Sequence, residues 1–320
     1  MGRQHVGHSE IATFAGAKVN LPQDVASKYR QQVRGLRDRL KAHLDAHPNF
    51  SLKKMLLSGS LAKGTALRSL NDIDVGVYVA GSSVPDDIGG LLDYIADKIV
   101  EAYPNVTSDQ LTRNTYSITL SFKGSGLDVD IVPILYYGDP DWRGDLVSQD
   151  DGSFLETSIP LHLDFIRDRK KAAPNHYAQV IRLLKYWSKQ RKDEDASFRF
   201  KSFMIELIMA KLADQGVDFS DYPEALQQFF TYIINSNLSE RIVFNEHYDF
   251  ADVECSDVLQ IIDPVNAKNN VARLYTSANV NAIVDAAEAA GDAIDWALSA
   301  PTKTATVEAW QGVFGPTFQV

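Results

Sequence analysis

The chain has 320 residues, of which 45 % are hydrophobic and 23 % are charged, as in an ordinary globular protein. Its formal net charge of −10 disfavours tight nonspecific binding to a nucleic-acid backbone at long range. The single cysteine, Cys255, excludes a disulfide framework and a cysteine-rich zinc site within the chain. No apolar run approaches the roughly 18 residues that span a bilayer, and residues 1–20 lack the apolar segment of a secretory signal. We therefore expect a cytoplasmic protein without membrane contact.

A long helix is predicted over residues 21–47. Apolar residues recur there at steps of three and four, which gives one apolar stripe along the helix. Pro22 suits the first turn, and Pro48 ends the pattern. The polar terminus before this helix, which carries His5 and His8, is expected to be disordered.

Strand patterns dominate the next hundred residues or so. A short apolar run at 55–57 precedes Ser58-Gly59-Ser60, and residues 61–70 have room for a short helix. A β-rich run follows at 73–79, and a further helix is predicted over 86–103. Two more β-rich runs, 115–122 and 127–135, are joined by 123–126 in the manner of a β-hairpin.

Helical periodicity dominates from residue 159 onward. The Asp- and Gly-rich segment 139–152 is interpreted as a linker or mobile loop. The sequence therefore predicts an α+β protein with an α/β N-terminal lobe, 1–155, a helical C-terminal lobe, 156–320, and a cleft between them. The predicted helices of the second lobe are 161–171, 176–191, 202–215, 222–234 and 278–298.

Two carboxylates stand at the start of the β-rich run. Asp72 and Asp74 are separated by one residue, and a strand has a period of two, so both project from the same face. Two like charges held this close repel each other and favour a cation between them. Ligands that are all oxygen favour Mg²⁺ or Mn²⁺.

A third carboxylate lies in the later run Leu127–Leu135. Asp130 sits inside this otherwise apolar segment, where an unpaired charge would be costly. If the two strands are neighbours, Asp72, Asp74 and Asp130 would suffice to hold two metal ions about 4 Å apart. Asp128 points to the same face and is the alternative to Asp130, which we prefer because it lies deeper in the apolar run.

Gly59 and Ser60 precede these acids. Glycine lets backbone N–H groups approach a phosphate closely, and the hydroxyl of Ser60 can donate to a phosphate oxygen. A Gly-Ser pair alone usually marks a turn. Its position just before two carboxylates that suit a metal indicates a nucleotide-phosphate site.

These features resemble the DNA polymerase β-like nucleotidyltransferases, whose hallmark is Gly-Ser, an alternating pair of acids and a third acid on a later strand. The segments 180–187, 201–206 and 260–271 resemble motifs of the oligoadenylate synthetase and cyclic GMP-AMP synthase branch. The likeness spans nearly the whole chain. It is closest to the bacterial CD-NTases of CBASS antiphage systems, in particular those of clade C, which are encoded beside HORMA-domain partners.

The resemblance implies a polymerase β-like catalytic lobe, a helical oligoadenylate-synthetase-like lobe, and synthesis of a cyclic oligoadenylate, cyclic tri-AMP, from ATP with two Mg²⁺ or Mn²⁺ ions. It assigns Lys185 to the triphosphate, Ser202 to the nucleotide and Phe203, where many relatives have tyrosine, to the base. Regulation by a HORMA-domain protein and by double-stranded DNA is also implied.

Two alternatives stay open at this point. An RNA-extending enzyme of the CCA-adding or poly(A) type would share the metal site but should need a broad basic groove, which the net charge disfavours. An inactive nucleotide-binding scaffold would have no need to keep all three acids.

Overall fold

The computed structural model describes residues 5–46, 52–70, 72–80, 90–124, 126–173 and 176–320. The chain forms two compact units, Leu21–Asp164 and a helical unit of Met1–Asn20 with Phe165–Val320. The boundary between the units therefore falls at Asp164, rather than at the predicted 155/156, and the N-terminal residues group with the C-terminal helices.

The first unit contains a seven-stranded mixed sheet with helices, so the predicted α+β class is confirmed. The predicted helix at 21–47 and the hairpin at 115–135 are present as α2 and as β4 with β5. Residues 86–89 of the next predicted helix lie outside the described ranges. Elements are numbered along the whole chain, and those up to residue 172 are α1 His8–Phe14, α2 Gln23–Ala46, β1 Leu52–Leu57, α3 Gly59–Lys63, β2 Asp72–Ala80, α4 Leu91–Ala102, β3 Leu111–Arg113, β4 Ile118–Phe122, β5 Leu127–Tyr136, β6 Gly144–Val147, β7 Phe154–Thr157 and α5 Ile159–Ala172.

The strands of the sheet follow the order β1-β2-β5-β4-β3, and β6 pairs with both β5 and β7. The pair β2–β5 is parallel, whereas the other pairs are antiparallel. The interpretation of 139–152 as a loop was wrong for residues 144–147, which form β6. Gly144 has no side chain, and a Cβ there would lie 2.3 Å from the carbonyl oxygen of Leu135, so glycine allows β6 to pair closely with β5.

The two faces of β2 have different surroundings because successive side chains alternate. Ile73, Val75 and Val77 face a core that includes apolar residues of α2 and α4. On the opposite face, Tyr78 is buried and packs in a second cluster with Ile159 of α5. The apolar residues of β2 thus hold the strand between two layers. Asp72 and Asp74, near the start of the strand, lie on the same face as Tyr78.

The helical unit contains five further helices, one of which was not predicted. They are α6 Tyr177–Glu194, α7 Ser202–Asp214, α8 Tyr222–Ser236, α9 Ser277–Ser299 and α10 Lys303–Phe314. The additional helix, α10, presents Trp310 and Phe314 to the interior, where both side chains are fully buried. In the described ranges, no helix is long and apolar enough to cross a membrane.

Contrary to the expectation of disorder, residues 5–20 are ordered, because apolar side chains among them, including Ile11 and Phe14, are buried. His8 lies within α1, and α1 continues into a π-helical turn, Ala15–Val19. The Phe14 ring is 4.9 Å from the ring of Phe318 and 5.3 Å from that of Phe314, centroid to centroid. Burial of such a side chain contributes on the order of 1.5–3 kcal/mol toward ordering this segment.

Candidate functional site

The parallel pairing of β2 with β5 places two pairs of carboxylates side by side. Asp72 lies opposite Asp128, and Asp74 lies opposite Asp130. Residues two apart on a strand point to the same face, and so do residues that pair across two strands. All four side chains therefore occupy the same face of the sheet. This face is opposite the one that packs against α2 and α4.

The charges in this cluster act on one another. Burial raises the pKa of Asp72, and the nearby charges of Asp130 and Asp128 raise it further. Burial raises the pKa of Asp74 to about 6, with added repulsion from Asp72 and Asp130, while the ammonium of Lys63 opposes the shift. Asp130 therefore repels both members of the Asp72–Asp74 pair, whereas Asp128 affects only Asp72 among these two.

Gly59 lies against the carboxylate of Asp74. The Ser58 N–H donates to the Asp74 carbonyl over 2.8 Å, which extends the β1–β2 ladder by one bond beyond Leu57. Gly59 follows with φ +61°, and a Cβ at this position would lie only 1.7 Å from Oδ2 of Asp74. Both the left-handed conformation and the close approach require glycine here.

Ser60 follows Gly59 in the first turn of α3, which begins directly after β1. Its carbonyl accepts from the N–H of Thr65 over 2.9 Å, and Gly64 ends the helix with φ +74°. Lys63, in the last turn, is the cation that opposes the raised pKa of Asp74. The structure therefore brings Gly59, Ser60 and the acids together within one unit.

A residue that the sequence analysis did not identify holds Asp130. The hydroxyl of Thr119, on β4, donates to Oδ1 of Asp130. The hairpin register predicts this contact. Phe122 pairs with Leu127, and three residues farther from the loop on each strand, Thr119 lies opposite Asp130. The predicted four-residue loop, 123–126, was therefore sufficient to predict that Thr119 faces Asp130.

The chemistry of the donors fits a hard divalent cation. Asp72, Asp74 and Asp130 offer only oxygen ligands, and their mutual repulsion is of the kind that Mg²⁺ or Mn²⁺ relieves. Across the part of the chain that the structure describes, no three Asp, Glu, His or Cys side chains are arranged so that they could hold a metal ion as they stand. Thr119 occupies only Oδ1 of Asp130, so this hydrogen bond would orient the carboxylate while its other oxygen serves as a metal ligand.

The other predicted site residues belong to the helical unit. Lys185, on α6, is 5 % exposed, and its ammonium pairs with Glu206 of α7 at 2.5 Å. Ser202 is exposed as the first residue of α7, and Phe203 is half-buried beside it. These residues gather around the N-terminal half of α7, but the ammonium of Lys185 lies inside the helical core.

Known proteins resemble the whole chain. It is 63 % identical over 320 residues to a protein of Escherichia coli strain MS 115-1 named cyclic AMP-AMP-AMP synthase, covering 100 % of both chains. It is 31 % identical over 322 residues to a CBASS oligonucleotide cyclase, CdnC, of Escherichia coli strain KTE188, covering 98 % of both. No protein-family model matches the chain.

The fold also matches solved structures of CdnC from E. coli MS115-1. A complex of CdnC with HORMA-deltaN matches with a TM-score of 0.91 and 62 % identity, covering 99 % of both chains. CdnC with ATP matches with a TM-score of 0.92 and 63 % identity, covering 99 % of this chain and 100 % of the other. Sequence and fold thus indicate the same group of relatives along the full length.

Proposed function

The chain belongs to the family of CBASS oligonucleotide cyclases, and from this premise we propose that it converts ATP into cyclic tri-AMP in antiphage defence. It is a nucleotidyltransferase that makes a cyclic oligonucleotide. The observation that carries the proposal is the register of β2 and β5, which sets Asp74 beside Asp130 on one face of the sheet. The name of the relative with 63 % identity supports the choice of product.

In each cycle, a ribose hydroxyl would attack the α-phosphate of a nucleoside triphosphate, and pyrophosphate would leave. We assign Asp72, Asp74 and Asp130 as the ligands of two Mg²⁺ or Mn²⁺ ions. When bound, such ions would acidify the attacking hydroxyl and neutralise the leaving group. Asp130 is also suited to accept the proton of that hydroxyl. The chain itself contributes mainly positioning and charge.

Gly59 and Ser60 are proposed to bind the phosphates of the nucleotide. Gly59 lets the backbone pass close to the Asp74 carboxylate, where a side chain would overlap that group. Ser202 is proposed to donate to the nucleotide, and Phe203 to stack on its base. The assignment of Lys185 to the triphosphate requires its ammonium to be shared with, or released from, Glu206.

The proposed partners are a HORMA-domain protein and double-stranded DNA. A solved complex of a relative with 62 % identity contains HORMA-deltaN, which supports the first. For DNA, a chain of net charge −10 needs a locally basic surface. Arg30, Arg34 and Arg37 of α2 line a cavity of about 200 Å³ beside β1 and would supply such a surface.

The test is product analysis by mass spectrometry after incubation with ATP and Mg²⁺, with and without a HORMA-domain protein and double-stranded DNA, and without RNA. We expect a cyclic product from the wild type and none from Asp72→Ala with Asp74→Ala. Asp130→Asn should also abolish it, whereas Asp128→Asn, on the same strand and face, should retain most activity. Undiminished turnover by the double variant would refute the metal site.

The same assay separates the alternatives. Extension of an added RNA primer, with no product from ATP alone, would indicate an RNA-extending enzyme. Binding of ATP with Mg²⁺ in calorimetry, without turnover under any of these conditions, would indicate an inactive scaffold.

A further inference from the structure

Two cationic side chains lie beside the ring of Tyr275 in the helical unit, and the charge of a third acts on one of them. The Cζ atom of Arg199 lies 5.7 Å from the centre of the Tyr275 ring, and Nζ of Lys201 lies 5.9 Å from it. Arg273 is two residues before Tyr275 and is near enough to act on Lys201. Burial lowers the pKa of Lys201, and the charges of Arg199 and Arg273 lower it further.

The protein holds this cluster in place through neutral groups. The backbone N–H of Lys201 donates to the hydroxyl of Tyr275 over 2.9 Å. The ammonium of Lys201 donates to the carbonyl of Val271 over 3.0 Å. The position of Lys201 is therefore set by neutral groups of the chain, although the charges of Arg199 and Arg273 repel it.

Among the described residues, none of the three cations forms an ion pair with a carboxylate. By contrast, Arg169 in the same unit pairs with both Asp214 and Glu246. A cluster of like charges without a protein counter-ion is most stable when an anion binds to it.

The kind of anion follows from the geometry. Two guanidinium groups suit the bidentate recognition of phosphate oxygens, and an ammonium adds a point charge. Arg199 and Lys201 lie beside the ring of one tyrosine, an arrangement that fits a short polyphosphate and is too compact for the stripe of charge that a duplex needs. Lys201 also precedes Ser202 at the start of α7, where the positive end of the helix dipole favours an anion.

We propose that Arg199, Lys201 and Arg273 form a binding site for a polyphosphate group. That the natural occupant is the triphosphate of a nucleotide rests on the proposed function, whereas polyphosphate binding by the cluster does not. The site is separate in sequence from the acids of β2 and β5, and it needs no divalent ion to attract its ligand.

The test uses isothermal titration of the full chain with inorganic tripolyphosphate in the presence of a metal chelator. We expect Arg199→Gln with Arg273→Gln to weaken binding at least tenfold. Lys192→Gln, an exposed basic residue on α6, is the matched control and should bind like the wild type. Arg199→Lys with Arg273→Lys keeps the charge but loses the forked donors, and its affinity should be intermediate.

Equal affinity of the wild type and the double Gln variant, or no binding by the wild type, would overturn the proposal. If the double Gln variant loses binding to a short double-stranded DNA but binds tripolyphosphate like the wild type, the cluster is a nucleic-acid site and the proposal is overturned. Unchanged thermal unfolding of each variant excludes a loss of fold.

A parallel assay of product from ATP keeps the two claims apart. If the wild type makes no cyclic product but the double Gln variant loses tripolyphosphate, the site stands and the proposed function fails. If the wild type makes the cyclic product and the double Gln variant binds tripolyphosphate as well as the wild type, the proposed function stands and the polyphosphate site fails.

Discussion

The ammonium of Lys185 lies 2.5 Å from Oε1 of Glu206, and the two side chains are only 4 % and 3 % exposed. This pair joins α6 to α7 within the helical core. Removing one charged partner from a buried pair leaves the other charge without compensation, which is far more costly than breaking a pair at the surface.

We therefore expect Lys185→Met or Glu206→Leu alone to lower the free energy of unfolding by about 3–5 kcal/mol. The double variant should regain at least half of that loss, because two apolar side chains of similar volume leave no buried charge. The measurement is denaturant unfolding. Lys189→Met, which breaks an exposed pair with Asp193 on the same helix, should cost less than about 1 kcal/mol.

The same set of variants tests the assignment of Lys185 to the nucleotide. A stable double variant with weakened ATP binding would support it. Wild-type ATP affinity in that variant would leave the pair with a structural role alone.

Gly59→Ala should lower turnover at least a hundredfold. A Cβ at Gly59 would overlap the Asp74 carboxylate, so either that proposed metal ligand or the phosphate-binding turn must move. Displacement of a catalytic group by about 1 Å is sufficient for a loss of this size. Steady-state kinetics with ATP measures it.

The matched control is Gly35→Ala. Gly35 is exposed in the middle of α2, and a Cβ there would have nothing within 4 Å. It should leave turnover unchanged and stabilise the protein by about 0.5–1 kcal/mol. Full activity of Gly59→Ala would show that the tight contact with Asp74 has no part in catalysis.

Thr119→Val should lower kcat about three- to tenfold and leave the KM for ATP unchanged. The substitution keeps the shape of the side chain but removes the hydroxyl that orients Asp130. The concentration of Mg²⁺ needed for half-maximal activity should rise as well. Thr119→Ser restores the hydroxyl and should restore both values. A serine variant as impaired as the valine variant would argue against a role for this hydrogen bond.

Asp74→Asn should stabilise the metal-free protein at pH 7.5, by an amount that vanishes toward pH 4. The pKa of Asp74 in the folded state is about 6, above the value of about 3.9 in an unfolded chain. A raised pKa in the folded state favours folding at a pH below the unfolded pKa, and this contribution is lost as the pH rises through about 6.

At pH 7.5, the ionised Asp74 thus destabilises the metal-free fold, on the order of 1–2 kcal/mol after allowance for its partial exposure. Denaturant unfolding with a chelator present, at several pH values, measures the difference between the wild type and the variant. A difference that does not change with pH would contradict the assignment. Added Mg²⁺ should stabilise the wild type more than the variant, because the ion relieves the repulsion.

Much of the local structure was predictable from the sequence. The steps of three and four in residues 21–47 predicted α2, and the strand period placed Asp72 and Asp74 on one face before any pairing was known. The hairpin loop at 123–126 even contained the register that brings Thr119 to Asp130. These features depend on interactions within one segment or between neighbouring segments, so the sequence pattern is sufficient.

Contacts between distant segments were decided only by the tertiary structure. The parallel register of β2 with β5 set Asp130 beside Asp74, and no local pattern specifies which strands pair or in what alignment. Burial of Ile11, Phe14 and Val19 ordered residues 5–20, a largely polar segment. The placement of Lys185 inside the core depended on Glu206, a full turn into another helix. Local periodicity fixes which way a side chain points along its own element, but the free energy of long-range packing decides what it meets there.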